Sequence, residues 1–484
     1  MVVQTGSGAD KEIKLSAQSA ENWKSLINFI EKSNSEDLKS LRIPLYMVLE
    51  NAEKQNLKTN LGLIKKIILL FLQFPCRAFC YVKPGLTLFC IPHGTSSCIS
   101  NLDPIVEEAS KKQVLGGILL GKMRKKIESN FHKYPCISFN HMISMVPIKI
   151  RFKSFLQIIN SLLIIRKLLY HDFPQLALSL KGQSIYLFYQ LSILKLIRYP
   201  IEEIFQSWRP ANIITSSEFW PFEYQIISAA KRRAIPSYMI QHGVMDESWW
   251  PFLVDNFIVW GKPFQQEMLS FGAPEQRIKI LGMPSTDNIF KNQLMFDNNQ
   301  STLQNNKFSC LIISQTNAAG MYPEEFKKFF SILKETVIAL PDVEWRIKLH
   351  PAEYSTLYNS LQMDVRTKLQ ILPKSTTLEM AVKNSDIAIN LFSTAGLEVM
   401  IMQRPLVILD LSPRLSKNVW WPSRGGGVYA SDSTQLQSII GQLANDKDVV
   451  RQQIARQNEF ISNCFENRGN SAKAIIDHIL SIKI

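Results

Sequence analysis

The 484-residue chain lacks several features that would assign it to a protein class at once. Its cysteines are odd in number and lie mostly in apolar runs, so they predict reduced core thiols and not a disulfide framework; they stand at 76, 80, 90, 98, 136, 310 and 464. Cys76 and Cys80 have no second cysteine or histidine pair at finger-like spacing, which argues against zinc. The first residues contain neither a basic nor an apolar signal-peptide segment. We therefore expect a cytoplasmic protein without a bound metal.

Acidic residues are also comparatively few, with 41 Asp and Glu against 55 Lys and Arg and a formal net charge of +14. The excess is concentrated between Gly121 and Pro210, where 14 basic residues face four acidic ones. A basic chain can indicate binding to nucleic acid, but no RNA- or DNA-binding motif accompanies this charge. We therefore expect no nucleic-acid partner.

Two apolar segments run between these charges, FLQIINSLLIIRKLLY and SIYLFYQLSILKLIRYP. They are too short or too interrupted to span a bilayer, but they are suited to lying on one. One hypothesis is peripheral association with the anionic inner face of the cytoplasmic membrane. The alternative is that these helices pack inside the protein and that the lysines occupy their solvated faces.

From Asn212 onward, short apolar strands alternate with helices, which is typical of parallel sheets. We predict an α/β protein with a helical region over 1–84 and a Rossmann-like domain over 85–295 that contains a basic helical insertion at 140–209. A polar linker at Met295–Lys307 precedes a second Rossmann-like domain over 307–433. The helices of 434–484 should pack back on the core.

The strands of the first domain end in polar turns. SYMIQ stops at His242-Gly243, NFIVW at Gly261, and RIKIL at Gly282, which opens the loop to Asp287. In open parallel sheets, ligands bind at the carboxyl ends of the strands, so this edge is the candidate site. Asp287 is expected to cap a helix or brace the junction between the domains.

A second group of polar residues follows the strands of the second domain. His350 and Pro351 follow the strand that carries Lys348, and the turn Ser393-Thr394-Ala-Gly396-Leu-Glu398 follows DIAINL. Hydroxyls and backbone N–H groups at the beginning of a helix favour a phosphate. The alternative is that Ser393 and Thr394 only cap the helix.

These two stretches resemble bacterial surface-polysaccharide glycosyltransferases of the GT-B type, in which two Rossmann-like domains face a cleft. The resemblance covers about residues 210–415, and it implies an acceptor-side first domain and a second domain that binds the donor nucleotide. It also implies that His350, Lys348, Ser393, Thr394 and Gly396 bind the donor phosphates. Glu398 would accept hydrogen bonds from the ribose. The Lys-x-His-Pro pattern is similar to transferases that use CMP-sialic acid, CMP-Kdo or CDP-glycerol.

The first domain supplies the candidates for catalysis. His242 could orient the donor phosphate or transfer a proton, and Asp246 and Glu247, which are close in sequence, could raise its pKa. Glu218 and His93, each at the end of a strand, are the candidates for the general base. Trp249 and Trp250 could form a platform for the acceptor sugar, or they could anchor a loop.

Together these features predict a transferase that moves a sugar from a CMP-, CDP- or UDP-linked donor to a surface polysaccharide or lipid-linked glycan, without cofactor or metal. The alternatives are a UDP-sugar 2-epimerase, a glycerophosphotransferase, or an inactive scaffold in a polysaccharide-assembly complex.

Overall fold

The computed structural model describes most of the chain. The described residues are 57–72, 84–92, 96–121, 129–172, 174–246, 249–292, 307–315, 323–350, 363–413 and 420–482, with the single residues 30, 32, 41, 321, 353, 355, 358 and 361. His93, most of the predicted helical region 1–84 and most of the predicted linker lie outside these residues.

The first sheet has seven parallel strands in the order β3-β2-β1-β4-β5-β6-β7. The strands are β1 (Thr87–Ile91), β2 (Leu115–Leu120), β3 (Cys136–Ser138), β4 (Asn212–Thr215), β5 (Ser237–Ile240), β6 (Asn256–Val259) and β7 (Ile278–Ile280). The order reverses between β1 and β4, and open α/β sheets bind ligands at the carboxyl edge beside such a reversal.

The second sheet has six parallel strands in the order β10-β9-β8-β11-β12-β13. They are β8 (Ser309–Ile313), β9 (Glu344–Lys348), β10 (Leu369–Ile371), β11 (Ile387–Asn390), β12 (Leu406–Leu409) and β13 (Val428–Ala430). Here the reversal falls between β8 and β11. The predicted two-domain α/β fold with parallel sheets is therefore confirmed.

Helices cover the faces of both sheets, as parallel strands require. Those described in the first domain are Leu57–Leu72, Ser96–Lys111, Phe139–Ser144, Ile148–Asp172, Pro174–Trp208, Pro221–Arg232, Lys262–Ser270 and Asp287–Lys291. Those that follow are Pro323–Ala339, Met363–Arg366, Leu378–Lys383, Ala395–Ile401, Ser433–Asn445, Lys447–Cys464 and Ser471–Ser481.

The last helix, Ser471–Ser481, packs back on the first domain. Its residues Ile475 and Ile476 are buried with Phe89 of β1 in one hydrophobic cluster. The carboxylate of Asp287 accepts hydrogen bonds from the backbone N–H groups of Ser471 and Ala472, both at 2.9 Å. Asp287 thus caps this helix, as expected, and joins the end of the chain to the first domain.

The two helices of the basic segment differ in how far their apolar residues are buried, which bears on whether the segment packs inside the protein or lies on a membrane. In the helix Pro174–Trp208, the apolar residues Leu191, Ile197 and Ile204 are buried in the core, as the packing alternative predicts. The helix Ile148–Asp172 instead exposes Ile148, Phe152 and other apolar side chains. Among the helices that the structure describes, none is both long and apolar enough to cross a bilayer.

The strand β2 was not predicted, because its sequence LGGILL contains two glycines that weaken the local strand pattern. Tertiary packing explains Gly117. A Cβ atom at this position would lie 2.5 Å from the ring of Trp208, so the close contact between the sheet and the helix Pro174–Trp208 excludes a side chain.

Candidate functional site

Two candidates for catalysis lie at the carboxyl edge of the first sheet. His242 follows β5 and Glu218 follows β4, and these strands are neighbours. Gln241 fixes the end of β5: its Oε1 accepts a hydrogen bond from the backbone N–H of Trp260 at 3.2 Å, and its Nε2 donates to the carbonyl of Gly243 at 3.1 Å. These two hydrogen bonds fix the chain on both sides of His242, so its side chain stays at the carboxyl edge of the sheet.

The imidazole of His242 is partly exposed, but its Nδ1 is buried and has no hydrogen-bond partner in the described structure. The ring lies 4.8 Å from the ring of Trp249 and hydrogen-bonds to the backbone of Ser216. Burial lowers the pKa of His242 to about 4. The rise in pKa expected from Asp246 does not occur, because the loss of solvation on burial sets the direction of the shift, and Glu247 lies outside the described residues. A neutral ring with a free Nδ1 can accept a hydrogen bond from a hydroxyl.

Glu218 is buried, and its carboxylate accepts hydrogen bonds from the backbone N–H groups of Leu253 and Val254, the latter at 2.8 Å. These contacts tie the turn before β6 to the end of β4. A carboxylate engaged in this way braces the loop, since proton transfer to it would weaken both bonds. Its role as the general base stays a prediction, as does that of His93, which lies outside the described residues.

The two tryptophans differ from an open sugar platform. Trp249 is only 6% exposed and packs against Phe219 at 5.3 Å and Phe257 at 5.7 Å between ring centroids. The prediction that Trp249 forms an acceptor platform is therefore corrected. Its ring lies in the hydrophobic core and packs against the imidazole of His242. Trp250 is partly exposed and lies edge-on to Phe252 at 5.0 Å, so loop anchoring accounts for its contacts.

In the second domain, positive charge collects at the carboxyl ends of β9 and β10. Lys348 ends β9, and Lys374 follows β10 on the neighbouring strand. Burial and then the nearby Lys374 lower the pKa of Lys348. A bound anion would stabilise the protonated form of Lys348. Sequence reasoning missed Lys374, which the pairing of β9 and β10 brings to the site.

His350 lies beside this pair. Its pKa is lowered by burial and then by Lys348, so its imidazole is uncharged near neutral pH. The positive charge available to a phosphate at this edge therefore comes from the lysines and not from His350. A neutral imidazole can still donate one N–H to a phosphate oxygen.

A buried carboxylate that sequence reasoning did not identify holds the turn at His350. Glu353 is fully buried and accepts hydrogen bonds from the His350 backbone N–H at 3.0 Å, and from the hydroxyls of Ser314 and Tyr358, both at 2.9 Å. Burial raises the pKa of Glu353. In the sequence, the only indication of this role is that an acid stands three residues after His350. Through these hydrogen bonds, Glu353 joins the ends of β8 and β9.

The Ser393–Glu398 turn begins the helix Ala395–Ile401 after β11. The Ser393 Oγ accepts a hydrogen bond from the Ala395 N–H at 3.2 Å, and the next two amides bond to the carbonyls of Ser393 and Thr394. These three backbone donors are therefore engaged within the turn. The hydroxyls are the groups that remain able to donate to a phosphate.

Gly396 and Glu398 complete this turn. A Cβ atom at Gly396 would lie 2.7 Å from the side-chain nitrogen of Asn390, so a larger residue would require the Asn390 side chain to move. Glu398 is partly exposed, and burial raises its pKa to about 7. No hydrogen bond to its carboxyl group occurs within the described structure, so this group can accept hydrogen bonds from ligand hydroxyls.

Buried polar atoms without partners mark the same edges. Besides His242 Nδ1, they are Ser216 Oγ after β4, Gln315 Oε1 after β8 and Asn390 Oδ1 at the end of β11. These are four of the twelve buried side-chain atoms without a partner in the described structure, and a ligand at these strand ends could supply the missing hydrogen bonds. Within the described residues, no group of three His, Cys, Asp or Glu side chains could hold a metal ion.

The two parallel sheets and their strand orders fit a two-domain α/β GT-B fold, and solved structures share it. A UDP-GlcNAc 2-epimerase from Neisseria meningitidis bound to UDP-GlcNAc has a TM-score of 0.52 at 14% identity, covering 82% of this chain and 100% of that chain. A glycosyltransferase from Rickettsia africae has a TM-score of 0.52 at 12% identity, with coverage of 82% and 100%. A Methanocaldococcus jannaschii UDP-GlcNAc 2-epimerase in complex with UDP-GlcNAc and UDP has a TM-score of 0.51 at 13% identity, with coverage of 82% and 100%. No protein-family model and no curated protein matches the sequence.

Proposed function

We propose that the protein is a nucleotide-sugar-dependent glycosyltransferase that transfers a sugar to a surface polysaccharide or lipid-linked glycan. The observation that carries this proposal is the group of residues at the carboxyl edge of the second sheet. Lys348 and Lys374 supply positive charge there, while the Ser393–Glu398 turn supplies hydroxyls and an unpaired acid two strands away. This combination suits a ligand that carries both phosphates and sugar hydroxyls.

The residues divide the work of binding. Lys348 and His350 would bind the diphosphate, which becomes the leaving group, and the Ser393 and Thr394 hydroxyls would donate to its oxygens. Glu398 would accept hydrogen bonds from the ribose. The acceptor oxygen would form a bond to the anomeric carbon as the bond to the phosphate oxygen breaks, and the nucleotide would leave with that oxygen. His242 Nδ1 would accept the hydrogen bond of the acceptor hydroxyl, position it for attack and take its proton.

Membrane location belongs to the same proposal. Lipid-linked glycans lie at the inner face of the cytoplasmic membrane, so peripheral association would bring the enzyme to its acceptor.

A UDP-sugar 2-epimerase is the second candidate, because UDP-GlcNAc 2-epimerases are among the structures that share the fold. Such an enzyme needs no acceptor. The two functions therefore differ in a directly measurable way.

The first measurement is calorimetry of the purified protein with CMP, CDP, UDP and GDP, which identifies the nucleotide. The second follows release of that nucleotide from its sugar with and without a lipid-linked glycan acceptor. Faster release with acceptor supports the transferase. Conversion of a UDP-sugar to its C2 epimer without acceptor refutes it in favour of the epimerase.

Lys348→Met should weaken nucleotide binding, whereas Lys368→Met, an exposed lysine of the same domain, is the matched control and should not. Equal effects of the two substitutions would remove the phosphate role of Lys348.

A further inference from the structure

The helix Ile148–Asp172 has two apolar faces. One is buried, and its residues Ile158, Ile165 and Leu169 pack in a hydrophobic cluster. The other faces solvent, and its residues recur mostly at spacings of three or four from Ile148 to Leu163, with Tyr170 two turns further on, so they form one stripe along the helix. They are Ile148 (68% exposed), Phe152 (67%), Phe155 (39%), Leu156 (54%), Ile159 (41%), Leu163 (62%) and Tyr170 (65%).

The helix Leu57–Leu72 extends this stripe. The ring of Phe71 meets the ring of Phe155 edge-on at 5.6 Å, and the Arg151 guanidinium donates to the Phe71 carbonyl at 3.2 Å. Its own exposed apolar residues are Ile64, Ile68, Leu69 and Leu72. We call these eleven residues of the two helices the apolar face. Monomeric soluble proteins rarely expose a contiguous apolar patch larger than a few hundred Å².

Charge along the apolar face is almost entirely of one sign. The residues 57–72 contain no aspartate or glutamate, and the helix Ile148–Asp172 contains only Asp172, its last residue. The exposed basic residues of the two helices are Lys65, Lys66, Lys149, Lys153, Arg166 and Lys167. A second copy of this face would bring lysines against lysines, which opposes self-association. A partner with negative charge around an apolar interior satisfies both features.

We propose that the apolar face binds the surface of an anionic lipid bilayer. Its apolar side chains enter the boundary between headgroups and acyl chains, and its lysines contact the lipid phosphates. The surface comprises the helix Leu57–Leu72 and the first of the two basic apolar segments, while the second segment is core. The apolar face is thus the part of the protein that would contact the membrane in the proposed function. The inference itself depends only on the exposure and charge of these two helices.

The test is cosedimentation of the full chain with vesicles of phosphatidylglycerol or of phosphatidylcholine, at low and high salt. We expect binding to phosphatidylglycerol that weakens with salt, and much weaker binding to phosphatidylcholine. Each lysine near an anionic leaflet contributes about fivefold in affinity, so Lys149, Lys153 and Lys167 changed together to Gln should lose on the order of 100-fold. Phe152, Leu156 and Leu163 changed together to Ser should lose at least about tenfold at both salt concentrations.

Met363→Ser with Met380→Ser is the matched apolar control, since these side chains are 69% and 55% exposed in the second domain. These substitutions should leave vesicle binding unchanged. Thermal unfolding checks that every variant is folded, and nucleotide calorimetry is run in parallel. Vesicle binding needs no turnover, so failure of this inference and failure of the proposed transferase are separate results.

Three outcomes would overturn the inference. They are absence of binding to both vesicles, equal binding to both, and binding that neither triple variant weakens. A fourth such outcome would come from sedimentation velocity without lipid. If the protein is a dimer there and the serine variant is not, the apolar face serves self-association instead.

Discussion

The carboxyl group of Glu398 gives the most direct test of the proposed nucleotide site. Burial raises its pKa from 4.5 to about 7, so the folded protein keeps this proton at pH values where the unfolded chain has lost it. The folded state therefore loses stability as the pH rises from 4.5 through 7. The substitution Glu398→Gln removes this titration, while it keeps a polar side chain of similar size.

The size of the stability difference follows from the rise in the pKa of Glu398 from 4.5 to about 7. For a group wholly removed from water, this rise corresponds to about 3 kcal/mol. Glu398 is partly exposed, so we expect the Gln variant to gain about 1–2 kcal/mol over the wild type at pH 8. The two proteins should be equally stable near pH 5. Urea unfolding at pH 5, 6, 7 and 8 measures the difference, and Glu459→Gln, at an exposed acid of the helix Lys447–Cys464, is the control.

Nucleotide binding should titrate in the same range. Ribose hydroxyls donate to the ionised carboxylate, so the wild type should gain affinity relative to the Gln variant as the pH rises from 6 to 8, by about tenfold. Taking the ratio of the two proteins cancels titration of the nucleotide itself. Parallel stability curves would refute the burial argument. A constant affinity ratio would refute the ribose contact.

Three further predictions concern the same edge of the second sheet. Ser393→Ala with Thr394→Ala should weaken nucleotide binding by about 1–3 kcal/mol in calorimetry; unchanged affinity in the folded variant would leave both hydroxyls structural. Lys348→Met should weaken a nucleoside diphosphate by about 2 kcal/mol and the free nucleoside much less, and equal losses would contradict a phosphate contact. Glu353→Ala leaves buried donors without an acceptor and should cost about 3 kcal/mol in urea unfolding, against about 1 kcal/mol for Tyr358→Phe. Similar losses in these last two variants would show that the other partners of Glu353 contribute little.

Much of the fold could be predicted from the sequence, because apolar runs that stop at turn residues identify parallel strands. SYMIQ, NFIVW and DIAINL correspond to β5, β6 and β11, whose carboxyl ends carry most of the candidate residues. The same local reasoning failed for β2. There, Gly117 is required by contact with Trp208, which is distant in sequence.

The electrostatics of the site could not be predicted, because burial and contacts depend on tertiary packing. Neighbouring acids suggested a raised pKa for His242, whereas its burial against Trp249 lowers it. The position of Glu218 at a strand end was predictable. Its carboxylate, however, accepts hydrogen bonds from backbone N–H groups in a turn more than thirty residues away. Lys374 became a candidate only once β10 was seen to pair with β9.

The ionisable groups of the proposed site share one electrostatic direction. Burial lowers the pKa values of His242, His350 and Lys348 and raises that of Glu398, so in each case it favours the uncharged form. These groups are already partly removed from water, so a charged ligand gains their interactions at a reduced further cost of desolvation. A diphosphate would stabilise the protonated lysine, and ribose hydroxyls would stabilise the ionised Glu398. The nucleotide would thus supply the charges and donors that its own site lacks. Closure of the two domains around it would strengthen each of these contacts by excluding water.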